Sequence, residues 1–89
     1  MNPDAERLQE LVQDLIRERK FWEARAILRD VAPADVADTL SLLEPERAAI
    51  AFRLLPRDHA GDAFSELDPD RQERLIGLMS LDALEQITE

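Results

Sequence analysis

Carboxylates are the only abundant chemical groups in this chain of 89 residues: 20 acids stand against 11 basic residues, for a formal charge of −9. Asp58, Asp62 and Glu66 are the arrangement most suited to chemistry. Their i, i+4, i+8 spacing stacks them along one face of a helix, where like charges cost roughly 0.2–0.5 kcal/mol per pair. A solvated face offset by Arg53 and Arg57 is one reading. The other is a site for a hard divalent cation, which takes oxygen ligands and often keeps its waters. Glu46, Asp70, Asp82 and Asp58 itself sit where helices are expected to start and so meet the positive end of the helix dipole. Glu6, Glu10 and Glu73 read as solvated faces.

Catalysis has little to work with. There is one histidine, His59, no cysteine, no tyrosine and one lysine, Lys20. Ser41, Ser65 and Ser80 have no neighbouring histidine as base, and Gly61 and Gly77 form no phosphate-binding loop. His59 reads as an exposed or partly packed side chain. The chain is not expected to be an enzyme. Its charge argues against nucleic acid and against direct lipid contact, and favours cations or basic protein surfaces. The longest apolar run, Ala48–Phe52, is far short of the roughly 20 residues a membrane helix needs. Apolar residues make up 45% of the chain, too many for disorder.

The elements that position these groups follow from a repeat. Val31, Leu43, Leu55, Leu67 and Met79 are 12 residues apart, and Pro33, Pro45 and Pro69 follow two residues behind three of them. Pro56 is displaced by one residue and Leu81 replaces the last proline. Further columns are Ala24, Val36, Ala48, Ala60 and Leu84, broken by Gln72; Ile27, Thr39, Ala51, Ala63, Leu75 and Ile87; and Leu28, Leu40, Phe52, Phe64 and Ile76. Within a unit the columns step by three and four, the stripe of an amphipathic helix. Prolines fit the first helical position, with Asp68 and Ser80 as N-caps.

The pattern predicts an all-α protein, a superhelical, α-solenoid-like stack of short helices preceded by one longer helix. The long helix is expected over 3–19 and the short ones near 21–30, 34–43, 46–54, 57–66, 70–78 and 82–88. Helices this short are marginal alone and must bury a shared seam. Residues 1–89 read as a single domain, and the abrupt end at Glu89 suggests a fragment of a longer protein. Gly61 is expected to permit close helix approach. Trp22, beside Phe21, is expected to anchor the first short helix on the long one, the alternative being an exposed partner contact.

Val31-Ala32-Pro33-Ala34-Asp35-Val36-Ala37-Asp38-Thr39-Leu40, then Leu54-Leu55-Pro56 and Leu67-Asp68-Pro69-Asp70, resemble the N-terminal cytosolic domain of MgtE-type magnesium channels over roughly residues 5–89. The resemblance implies a regulatory domain on the cytoplasmic side of the bacterial inner membrane, followed by CBS modules and a membrane pore domain in a homodimer. Mg2+ bound between acidic faces of the N-terminal and CBS regions would hold the pore closed. By family position Asp62 is the metal ligand that transfers, with Asp58 and Glu66 beside it. Further ligands of the family lie beyond Glu89, so Mg2+ is expected to bind this chain weakly. Where the family often has a glycine-containing turn before Phe21, this chain has Arg19-Lys20. The alternative is a metal-free helical interaction module, an adaptor or a relative of the similar helical stack in the flagellar motor switch protein FliG.

Overall fold

A computed structural model describes the backbone of residues 3–87 and the side chains of residues 4–80. It is all helix: α1 (Pro3–Arg17), α2 (Phe21–Arg29), α3 (Pro33–Leu42), α4 (Pro45–Leu54), α5 (Arg57–Glu66) and α6 (Pro69–Ile87). The period of 12 has a simple origin. α3, α4 and α5 are each ten residues long, and two extended residues separate each helix from the next. The first extended residue is Leu43, Leu55 or Leu67, at φ near −75° and ψ near 150°, and its side chain is buried. The second is Glu44, Pro56 or Asp68. A following proline denies it the helical region, and proline itself fits there because its fixed φ is already the one required. This explains the displaced Pro56: it is the N-cap of α5, whereas Pro33 and Pro45 open their helices.

The short helices pack chiefly on their second neighbours, α1 on α3 and α3 on α5 in one row, α2 on α4 and α4 on α6 in the other. The column Thr39, Ala51 and Ala63 is wholly buried between the rows, followed by Leu75 at 5% exposure. Small residues there keep the backbones close. Thr39, the one buried polar residue among those described, donates its hydroxyl to the Asp35 carbonyl at 2.8 Å and so leaves no buried side-chain atom unsatisfied. Val12, Ile16, Leu28, Val36 and Leu40 complete the core.

Three expectations need correction. The break between 70–78 and 82–88 does not exist, since α6 runs unbroken through Met79-Ser80-Leu81. Leu81 retains the N–H that proline lacks, so nothing halts the helix, and Ser80 lies inside it and caps nothing. Thr88 and the side chains of Leu81, Leu84 and Ile87 lie outside the described residues. α1 ends at Arg17 because Arg19 turns left-handed (φ 61°). The Arg19 and Lys20 amides then donate back to the Ile16 and Leu15 carbonyls at 3.0 and 2.8 Å. This is a Schellman ending with arginine in the place glycine usually takes. Finally, Trp22 anchors nothing: it is 80% exposed, and Ala24 and Leu28 bury the inner face of α2.

Candidate functional site

Helix α5 carries the three candidate carboxylates. A pitch of 3.6 residues places Ala60, Ala63 and Phe64 toward the core, and Asp58, Gly61, Asp62, Ser65 and Glu66 on the opposite, exposed side. Asp58, Asp62 and Glu66 therefore stand one turn apart, about 6 Å along the axis. None is ion-paired or hydrogen-bonded through its side chain among the described residues. Arg57, expected with Arg53 to offset them, forms no such pair among the described residues. No group of three or more acidic, histidine or cysteine side chains is set to enclose an ion by itself among the described residues. The face offers carboxylates in a row, not a cage.

Gly61 lies on this face, and its role is not the expected one. A Cβ built there meets nothing within 4 Å, so no helix approaches it. Its repeat equivalents Ala37 and Ala49 are buried, at 3% and 8% exposure. The corresponding surface of α5 is uncovered, and Gly61 keeps it flat. Ser65 folds its hydroxyl back onto the Gly61 carbonyl at 3.1 Å, removing another protrusion. The result is an acidic face without bulk. The sequence signal for it is a glycine at a helical position where the two preceding units have Ala37 and Ala49.

The opposite side of α5 and its junction with α6 are tied down by polar contacts. His59 Nε2 donates to the Val31 carbonyl at 2.6 Å, joining α5 to the turn after α2. One repeat later, Arg71 Nη1 donates to the Ser41 carbonyl at 3.1 Å, near the end of α3. Each residue reaches back to the end of the helix three elements earlier, so His59 is a structural latch. Gln72, which breaks an apolar column, donates its amide to the Phe64 carbonyl at 2.8 Å and caps α5 from outside. Asp68 accepts the Arg71 amide at 2.9 Å as N-cap of α6, and its other oxygen takes Arg71 Nε at 3.0 Å. The Arg71 amide above all, with its guanidinium behind it, holds the Asp68 carboxyl below the usual carboxylate range.

A family model, the MgtE intracellular N domain, matches residues 31–89. The chain belongs to that family. The matched segment takes in α3 to α6, including the whole α5 face, and leaves α1 and α2 outside it. No curated protein and no solved structure matches the chain. Membership makes this MgtE-type chain a cytosolic domain of a magnesium transporter, and it places the chain in no known enzyme family. Among the described residues no helix is long and apolar enough to cross a membrane.

Proposed function

We propose that the outer face of α5 is one half of a cation-bridged interface through which the domain senses Mg2+. Its carboxylates, Asp58, Asp62 and Glu66, would share hydrated Mg2+ with an acidic face on CBS modules of the same polypeptide. Without the ion two such faces repel. With it their charge is neutralised, and because the hexahydrated ion dehydrates reluctantly, contacts through its waters suffice. Docking and Mg2+ affinity then raise each other by the same factor, and the docked state holds the membrane pore closed. The assembly would be a homodimer at the bacterial inner membrane, with this domain on its cytoplasmic side.

One observation carries this reading: three carboxylates with no side-chain partner among the described residues share the exposed face of α5, with open space at Gly61 between them, in a chain of this family. The test is protease protection of the polypeptide that includes the CBS modules, followed as Mg2+ is added. Wild type should become protected, and Asp62→Asn should need several-fold more Mg2+. An unchanged Mg2+ dependence in Asp62→Asn removes that residue from the site. Absence of any Mg2+ dependence favours the metal-free interaction module. The 89-residue chain alone should bind Mg2+ weakly, since it supplies only half of each site, and a tight stoichiometric isotherm would contradict the bridge.

A further inference from the structure

The outward face of α2 is unlike the rest of the molecule. Trp22, Arg25, Ala26 and Arg29 share it, opposite the buried Ala24 and Leu28. Trp22 is 80% exposed and Phe21, beside it, 37%. The Arg25 guanidinium lies 5.8 Å from the centre of the Trp22 ring, a cation–π pair standing in solvent. Residues 17–29 hold five cations (Arg17, Arg19, Lys20, Arg25, Arg29) against Glu18 and Glu23. That is +3 in a chain of −9, reduced to +1 once Asp14 and Asp30, the acids beside Arg17 and Arg29, are counted with it. Arg17 is engaged by Asp14, and Arg29 stands only loosely beside Asp30 at 3.8 Å. Arg19, Lys20 and Arg25 are ion-paired with nothing among the described residues.

We propose that this α1–α2 corner is a contact surface for the anionic headgroups of a lipid bilayer. An exposed indole flanked by unpaired cations suits the boundary between headgroups and acyl chains, where tryptophan settles and lysine and arginine meet lipid phosphates. The corner is the first turn of α2, with Trp22 80% exposed at it. The clefts lined by Leu40, Leu67 and Leu75, by Leu8, Leu11 and Val31, and by Gln9 and Gln13 include none of its residues. A protrusion of this kind enters a soft interface more readily than it fills a matching socket on a protein. Net charge had argued against lipid, but it treats the charge as uniform. The molecule measures 40 × 30 × 22 Å, several times the ~8 Å over which charges act at physiological salt. The acids at the far end are screened from a bilayer touching the corner. The proposal rests on the family reading in one respect: a domain belonging to a membrane transporter is held close to a bilayer, so a weak contact is enough.

Trp22 is the only tryptophan in the chain and reports its own surroundings. The chain is mixed, in EDTA and at physiological salt, with millimolar phosphatidylcholine vesicles with or without phosphatidylglycerol. Tryptophan emission should shift to the blue and protein should pellet with the anionic vesicles alone, and added salt should reverse both. Each cation should strengthen partitioning about fivefold, so the double variant Arg19→Glu, Lys20→Glu should lose binding. Trp22→Ala, at an exposed site, should keep its helical circular dichroism and pellet less. No shift on anionic vesicles overturns the proposal, as do equal shifts on neutral vesicles or an equal shift with soluble polyglutamate, the mark of an acidic protein partner. Because Mg2+ is absent throughout, none of these outcomes bears on the α5 face.

Discussion

The two sides of α5 are ten residues of one helix put to opposite uses. Inward, Ala63 is fully buried, His59 reaches the Val31 carbonyl and Gln72 covers the Phe64 carbonyl. Outward, Asp58, Asp62 and Glu66 have no side-chain partner among the described residues, and Gly61 leaves open space. Stability requires that buried polar groups be satisfied and buried volume be filled. The inner side meets both demands, and the exposed outer side is under neither. Like-charge spacing and a glycine inside a helix each have a small cost. A surface that keeps both is explained more economically by something that docks on it than by the fold.

The contrast is largest at adjacent positions. Ala63→Leu forces a larger side chain into the closed seam between α3 and α5 and should destabilise the chain by about 1–3 kcal/mol. Asp62→Leu, one residue away, should change stability by less than about 0.5 kcal/mol. Urea midpoints of the two variants measure the difference directly. Equal losses would mean that the outer side is packed in solution and that the two sides do not differ.

His59 comes next in size. Removing the imidazole in His59→Ala breaks its bond to Val31 and leaves that carbonyl without its partner, for an expected loss of roughly 0.5–1.5 kcal/mol. Arg71→Ala makes the same test one repeat later, at Ser41. If neither loses stability, the backward reach at this repeat position is incidental.

These latches were not legible in the sequence, for a definite reason. The repeat reports which positions face the core, because apolar side chains at steps of three and four are required by burial itself. The proline and leucine columns therefore led directly to ten-residue helices and extended two-residue junctions. A side-chain bond to a carbonyl 28 residues back leaves no periodic trace, and His59 looked like an ordinary surface residue. Gln72 looked like an error in an apolar column because its use, capping the preceding helix, depends on where α5 ends. The missing break at Leu81 has the reverse cause. Periodicity carried the junction forward, but the proline that enforces it was gone. Trp22 was misjudged from its type alone, since tryptophan is more often inside than out and only packing decides which way a helix turns. On the candidate site, spacing put the three carboxylates on one face, whereas the flatness around Gly61 needed the neighbouring helices to be in place.

Gly61 gives the smaller test with an opposite sign. Gly61→Ala adds a methyl group to open space and should stabilise the helix by about 0.5–1 kcal/mol. The same substitution in a crowded seam would be neutral or harmful. Gly61→Leu sharpens the comparison further: stability should not fall, yet Mg2+-dependent protection by the CBS modules should weaken, because the leucine projects from a face that must lie flat. If Gly61→Leu docks as wild type does, the outer side is acidic but its flatness has no purpose.

Asp68 supplies the last contrast, between a carboxylate the fold uses and the three it leaves unused. Its carboxyl accepts the Arg71 amide and guanidinium, and its proton affinity is lowered in the folded state relative to the ordinary value of 3.8. A group lowered in this way stabilises the fold fully above its unfolded value, and the contribution fades as pH falls through the lower, folded value. Wild type and Asp68→Asn should therefore differ most in stability near neutral pH. The gap should narrow in acid below about pH 4, as the wild-type carboxyl is protonated. Thermal midpoints measured from neutral pH into that range would show it. A gap independent of pH would mean that the asparagine amide oxygen caps α6 differently but the charge on Asp68 contributes nothing, and the bond from the Arg71 amide would then be a neutral cap like any other.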